Sequence, residues 1–403
     1  MFPLFLPGDK VEIEDRKDYS TGNIVTYLAS GKLIAHRIVY TFPDRKNFIT
    51  KGDNNLLPDK KITLGEILGK VIAIKRGSTR IALEHLYYTQ SSFYLSQLVK
   101  VEKSLNRAKI KFIVLRGIVP YLHWAKSPPN RLLADCDIFV REDDFKKVIR
   151  VLSPLGFTKS PATLFAKEFT NASEVTLTKN IFPFPVRIDL HRGLGIPFTK
   201  LTYLNSLFPK VKEFEQSLFT NSISVKQGSA RFKILDKETF VIYLLLHWYR
   251  HNYEGLSRIE LVKKMTESGL DWKRLFRLSK KYGVPSPVHL GLILSEKYLD
   301  LAFPNRKKDY ALYLLSLFIS PFSTGNRVFQ GVKRLLLVFL LSPAGLSLKL
   351  RLLLSPKTLR FIPLAIGSFI KTRNQKRKGL ISEDYAAHGL NPDSKTKARP
   401  SRE

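Results

Sequence analysis

Three stretches decide the fold of this 403-residue chain: Phe112-Ile113-Val114-Leu115-Arg116-Gly117, Ala134-Asp135-Cys136-Asp137-Ile138-Phe139-Val140 and Val186-Arg187-Ile188-Asp189-Leu190-His191. Each holds a short β-branched or aromatic run, the composition of a strand packed on at least one face. Two of them carry carboxylates where such a strand would otherwise be apolar. Asp135 and Asp137 are two apart at the start of a run, so alternation sends both side chains to one face. Cys136, between them, turns into the core. Asp189 has Ile188 and Leu190 on either side. Outward from these runs the spacing predicts strands over 110–115, 136–140, 164–170, 174–178 and 185–190, with helices over 118–125 and 142–153. That alternation makes 109–235 a mixed-sheet α+β unit.

Carboxylates held so close repel unless a cation stands between them. Three of them, Asp135, Asp137 and Asp189, suit Mg²⁺, which takes oxygen ligands and keeps positions open for water and triphosphate oxygens. Two such ions would stabilise the attacking and leaving oxygens of an in-line phosphoryl displacement. The charge balance agrees: 67 Lys plus Arg against 34 Asp plus Glu leave a net +33, an excess that attracts phosphate on nucleotides, nucleic acid or lipid. No stacking-aromatic module for RNA accompanies it. With 44% apolar and 25% charged residues, a mostly disordered or fibrous protein is excluded. The single Cys excludes an internal disulfide and with it the disulfide-stapled secreted class.

Residues 1–78 read as a small all-β unit, with runs over 10–13, 23–28, 33–41, 47–50 and 71–75 and turn residues between them. The boundary falls near Gly77-Ser78-Thr79, followed by a linking helix over 79–108. Helical spacing returns over 236–326, broken at Gly269 and Gly283-Val284-Pro285. Between Arg327 and Lys378 lie twelve basic residues and no acidic one, interleaved with Leu, Phe and Ile. Two readings stay open for 327–378: an amphipathic segment on an anionic membrane surface, or a helical subdomain with solvated Lys and Arg. Residues 379–403 are expected as a disordered tail. The best apolar run, 335–348, is broken by Ser342-Pro343-Ala344-Gly345 and is too short to span a membrane. The expected location is cytoplasmic, with possible peripheral membrane contact.

Leu115-Arg116-Gly117, Arg131, Asp135-Cys136-Asp137, Gly156-Phe157 and Arg187-Ile188-Asp189-Leu190-His191, in that order, resemble the uncharacterised nucleotidyltransferase family of the DNA polymerase beta-like superfamily. Leu246-His247-Trp248 is similar to that family's His-bearing helix, and Leu270-Asp271-Trp272 to its Asp-Trp helix start. The resemblance covers about 85–305. It implies transfer of a nucleoside monophosphate from an NTP to an acceptor hydroxyl, with two Mg²⁺ ions. Asp135 and Asp137 would bind both metals; Asp189 would bind the catalytic one and help deprotonate the acceptor. Arg116, Gly117 and Arg131 would serve the NTP, Gly117 by letting the loop backbone approach the triphosphate. Two departures stand out: Arg116 replaces the expected Lys, keeping charge but not shape, and Ile118 replaces the second Gly or Ser. His191 reads as an orienting or packing residue; His123, His247 and His251 default to core or surface roles.

A second resemblance covers 1–77. Met1-Phe2-Pro3-Leu4-Phe5-Leu6-Pro7-Gly8-Asp9, Gly22-Asn23-Ile24-Val25-Thr26-Tyr27, Ala35-His36-Arg37-Ile38-Val39, Thr50-Lys51-Gly52-Asp53-Asn54-Asn55 through Asp59, and Ile67-Leu68-Gly69-Lys70-Val71 are similar to signal peptidase I of the archaeal and endoplasmic-reticulum type. This implies His36 as general base and Asp59 as its orienting acid. In that family the nucleophilic Ser immediately precedes the Met matching Met1, and a base without a hydroxyl cannot perform acyl transfer. The expectations are therefore three. The first is a nucleotidyltransferase acting on an unknown acceptor (protein, RNA or small molecule), its N-terminal unit docking a peptide. The second is a serine endopeptidase whose start was misassigned, and the third a non-catalytic binding protein.

Overall fold

Strands dominate the chain up to Ala82, strands and helices mix from Leu83 to Leu235, and helices alone follow from Lys237 to Leu353. The computed structural model describes residues 5–6, 8–16, 18–53, 55, 58–124, 133–160, 173–181, 185–196, 202–255, 260–299, 301–304, 309–321, 327–356 and 358. Arg131, the strand expected over 164–170, the basic segment beyond 358 and the tail over 379–403 lie outside these residues.

Seven antiparallel strands form the first sheet: β1 (Lys10–Glu14), β2 (Ile24–Ala29), β3 (Lys32–Thr41), β4 (Asn47–Lys51), β5 (Lys61–Thr63), β6 (Ile67–Arg76) and β7 (Thr79–Ala82). Their order is β1-β6-β2-β3-β4-β5, with β7 on β6. The β2–β3 turn is two residues long, Ser30-Gly31, both at positive φ (52° and 73°), the backbone whose twist matches a tight hairpin. Alternation along β2 sends Ile24 to one face, with Val71, Ile74 and the first turns of the following helix, and Val25 to the other, with Tyr19, Tyr27, Ile38 and Phe48. The strands expected from sequence all form. β5 and β7 are additions, and β7 carries the sheet past the expected boundary. Gly77 (φ 59°) is a hairpin turn, not a domain end: the glycine that punctuates a turn reads the same as one that closes a domain.

The helix α1 (Leu83–Arg107) follows at once. Its first turns, Leu83, Leu86 and Tyr87, pack on the first sheet, whereas Tyr94, Leu98, Val101 and Leu105 belong to the main core. The segment expected as a link thus packs into the cores of both halves. The Tyr94 hydroxyl donates to the Arg187 carbonyl, tying α1 to the second sheet.

That second sheet comprises β8 (Phe112–Val114), β9 (Cys136–Val140), β10 (Thr158–Lys159), β11 (Glu174–Lys179), β12 (Val186–His191), β13 (Ser222–Gln227) and β14 (Ala230–Leu235). The order is β10-β11-β12-β9-β8-β14-β13. β12 and β9 run parallel, as do β14 and β8; the other pairs are antiparallel. The helix α2 (Val119–Trp124) follows the Gly117 turn, and α3 (Glu142–Leu152) follows β9 with Glu142, Asp143 and Asp144 in its first turn, where the helix dipole favours negative charge. The β13–β14 hairpin and α4 (Val211–Ser217) were not expected from sequence.

The helical part is built around α5 (Lys237–Arg250), capped by Asp236, whose carboxylate accepts from the Thr239 N–H at 3.0 Å. Residues 238–249 of this helix are all buried, the signature of a helix enclosed on every side. Around it lie α6 (Glu260–Glu267), α7 (Trp272–Lys281), α8 (Pro285–Leu299) and α9 (Tyr310–Leu317). Two helices follow, α10 (Arg327–Leu341) and α11 (Leu346–Leu353). Leu335, Leu337, Val338 and Leu341 of α10 enter the main core. Arg334 is buried over the Tyr249 ring at 4.5 Å, and Lys333 pairs with Glu254 at 3.5 Å. These two cations of the basic segment face the protein. Among the described residues no helix is long and apolar enough to cross a membrane.

Candidate active site

Parallel pairing of β9 and β12 sets Asp137 directly beside Asp189. The two carboxylates therefore leave the same face of the sheet, on neighbouring strands. Asp135 stands one residue ahead of β9, half-buried, and its charge acts on both Asp189 and Arg116. Cys136 points the other way and is fully buried, as alternation requires. Asp137 and Asp189 are register neighbours, and Asp135 lies close enough for its charge to act on Asp189.

Asp137 is 3% exposed and does not stand alone. Its Oδ1 accepts from His191 Nε2 at 2.8 Å, and Arg116 Nε lies 3.6 Å from its Oδ2. Oδ2 itself is buried without a hydrogen bond. Burial would push Asp137 up, but the Arg116 guanidinium and His191 outweigh it and hold it below the usual carboxylate range. The same exchange raises His191 despite its burial, because Asp137 and Glu174 favour the imidazolium. The pair is thus stabilised as an ion pair.

Asp189 has the opposite fate. Desolvation pushes it up to about 6, the charges of Asp137 and Asp135 add to this, and the Thr176 hydroxyl, donating to Oδ1 at 2.6 Å, opposes it. Burial is the larger cause, and the like charges of Asp137 and Asp135 reinforce it.

Around the carboxylates lies a shell that the sequence did not reveal. Glu174 on β11 is the register partner of His191 and stands 3.5 Å from its Nδ1. Arg250, from the last turn of α5, donates to Glu174 at 2.8 Å. Arg116 donates to His247 Nε2, also on α5, at 2.8 Å. His247 thus acts on the site, where a core or surface role was expected. His191 orients Asp137, as expected. The i, i+3 spacing of His247 and Arg250 on a helix was the available signal; nothing in the sequence shows that α5 crosses this face of the sheet.

Gly117 has φ +80°, and a Cβ there would stand 2.5 Å from the Asp135 carbonyl and 2.9 Å from Cys136 Cα. The close approach that demands glycine is therefore to the start of β9. The turn packs against the strand that carries Asp137, a local reason for glycine that stands beside the one expected at a triphosphate. Arg131, expected at the NTP, lies outside the described residues.

Among the described residues no three His, Cys, Asp or Glu side chains are arranged to hold a metal ion as they stand. Asp189 is turned to Thr176 and Asp137 to His191. The donor set nonetheless fits a hard divalent cation: it is all oxygen, one buried carboxylate oxygen has no hydrogen bond, and one carboxylate is destabilised by burial and by its like-charged neighbours.

In the first sheet, the His36 ring donates through Nδ1 to Asp59 Oδ2 at 2.6 Å. The same oxygen accepts from Thr50 at 2.8 Å and Tyr27 at 3.0 Å. Burial raises Asp59, but His36 and Thr50 outweigh it and hold it low. β3 and the loop after β4 bring this pair together. Among the described residues Nε2 of His36 has no hydrogen-bond partner.

The sheet is mixed, with a glycine turn packed on one acidic strand and a second acidic strand parallel to it. The family model described as uncharacterised nucleotidyltransferase matches residues 85–300. That is more than half of the chain, which belongs to this family. A crystal structure of an antigenic nucleotidyltransferase-like protein from Paracoccidioides brasiliensis is similar at 16% identity and a TM-score of 0.35, over 52% of this chain and 91% of that one. No curated protein matches the chain.

Proposed function

We propose that the chain transfers a nucleoside monophosphate from an NTP to an acceptor hydroxyl, with Asp135, Asp137 and Asp189 holding Mg²⁺. The observation that carries this reading is the side-by-side placement of Asp137 and Asp189, with Asp189 held at about 6. Bound Mg²⁺ would supply charge stabilisation to the transferring phosphoryl group. The chain's own residues do the rest. His191 and Arg116 fix the Asp137 carboxylate, and Thr176 fixes Oδ1 of Asp189. Asp189 is then a carboxylate placed to take the acceptor's proton. Arg116, anchored on His247, sets a cation beside the carboxylates where a triphosphate would lie. Such chemistry belongs in the cytoplasm, where NTPs are. Two experiments test the reading. The first is thermal-shift screening of NTPs with and without Mg²⁺, where a ligand binding only the folded state raises its stability. The second is transfer of label from radiolabelled NTP, expected to vanish in Asp135→Ala and in Asp137→Ala. Wild-type incorporation by both variants rejects it.

A second reading concerns the N-terminal unit, and the His36–Asp59 hydrogen bond supports it. We infer a signal-peptidase-like unit that docks an extended peptide beside His36. Calorimetric titration with a small-residue peptide should show binding that is lost in His36→Ala. Labelling by a serine-directed fluorophosphonate, dependent on His36, would make the unit a peptidase instead.

A further inference from the structure

The C-terminal helices leave apolar faces uncovered. On α10, Val332, Leu336 and Leu340 stand four apart and are exposed, while Leu335, Val338 and Leu341 fill the core behind them. On α11, Leu348 and Leu352 pack inward, and Leu346 (71% exposed), Leu350 and, just past the helix end, Leu354 look outward at the same spacing. α9 repeats the pattern with Tyr310, Leu314 and Phe318, the last 82% exposed. Side chains four apart share one helix face. Each of these helices therefore carries an apolar stripe facing away from the protein, a feature that marks an interaction surface.

The charge nearby decides what covers them. From 327 to 378 the sequence has no Asp or Glu. Lys333 and Arg334 are turned inward, but Arg351 is exposed and Lys349 half-buried beside the α11 stripe. A second copy of a chain with net +33 would be repelled, whereas an anionic surface would be attracted. The helices are 15 and 8 residues long, short of the roughly 20 needed to span a bilayer. We propose that the outward faces of α10 and α11, aided by α9, dock the protein on the surface of a negatively charged lipid bilayer, lying on it without crossing it.

The test is flotation of the full chain with vesicles of phosphatidylcholine alone and of phosphatidylcholine mixed with phosphatidylglycerol. Flotation is expected with the mixed vesicles only, weakening as salt is added. The exposed pair Leu336→Gln/Leu340→Gln should lower partitioning roughly tenfold or more, and Lys349→Gln/Arg351→Gln roughly tenfold. Unchanged thermal transitions in both variants show that the fold is intact. The proposal is overturned by failure of the full chain to float, by equal flotation with neutral vesicles, or by flotation that the leucine pair leaves unchanged. Sedimentation showing dimers that the leucine pair dissociates, without vesicle binding, overturns it in favour of self-association.

Discussion

Replacing Asp189 by Asn should stabilise the ligand-free protein. The folded state holds this carboxyl at about 6, against its usual 3.8. Between those values the folded protein binds a proton that the unfolded chain has released, so wild-type stability falls as pH rises through the window. At roughly 1.4 kcal/mol per pH unit, the rise is worth about 3 kcal/mol at neutral pH. Asn cannot ionise, keeps the shape, and its side-chain carbonyl can still accept from the Thr176 hydroxyl now bonded to Oδ1. Urea denaturation of both proteins across pH 3.5 to 7.5 is the assay. The curves are expected to coincide at the acid end and to separate above pH 4, with the variant about 1–3 kcal/mol more stable at neutrality once solvent screening is allowed for. Saturating Mg²⁺ should narrow the gap by binding the wild type alone. A variant less stable than wild type at pH 7, or a gap that does not change with pH, refutes the account of a carboxylate destabilised by burial and by its like-charged neighbours.

Three further outcomes follow from the same geometry. Gly117→Ala should cost about 2–4 kcal/mol in urea denaturation, since its Cβ would stand 2.5 Å from the Asp135 carbonyl on a backbone at φ +80°. Asp137→Ala leaves Arg116 and His191 facing each other in a buried site and should cost about 3–5 kcal/mol. The half-buried Asp135→Ala should cost less, which separates lost folding from lost transfer. Asp59→Ala strands His36, Thr50 and Tyr27 and should cost about 1–3 kcal/mol at pH 7. Because the folded protein holds Asp59 below its usual 3.8, that stabilisation is present above pH 4 and lost as pH falls through the lowered value. Wild type and variant should converge in acid denaturation curves.

The strand signals around Asp135, Asp137 and Asp189 were legible because alternation and turn residues are local properties of the chain. β9 spans the expected 136–140, and β12 lies one residue from its expected start and end. The β5 and β7 additions were not legible: three- and four-residue strands rich in Lys, Thr and Arg look like loops until a neighbour pairs with them. The same holds for Glu174 and Arg250, which are ordinary surface residue types until β11 pairs with β12 and α5 crosses the sheet. The basic segment shows the limit most clearly. Its sequence gives charge and apolar content, but only packing shows that Arg334 lies over Tyr249 while Leu336 and Leu340 face outward.

By itself the sequence determined the mixed α+β core, its three carboxylates, the glycine that turns against their strand, and the membership that these motifs carry. The tertiary structure alone decided which cations hold those carboxylates, that Asp189 and not Asp137 is the destabilised one, and which helix faces stay uncovered. The reason is physical. Periodicity and composition are written along the chain, whereas a charge's environment is set by neighbours far off in sequence, brought close only when strands pair and helices pack.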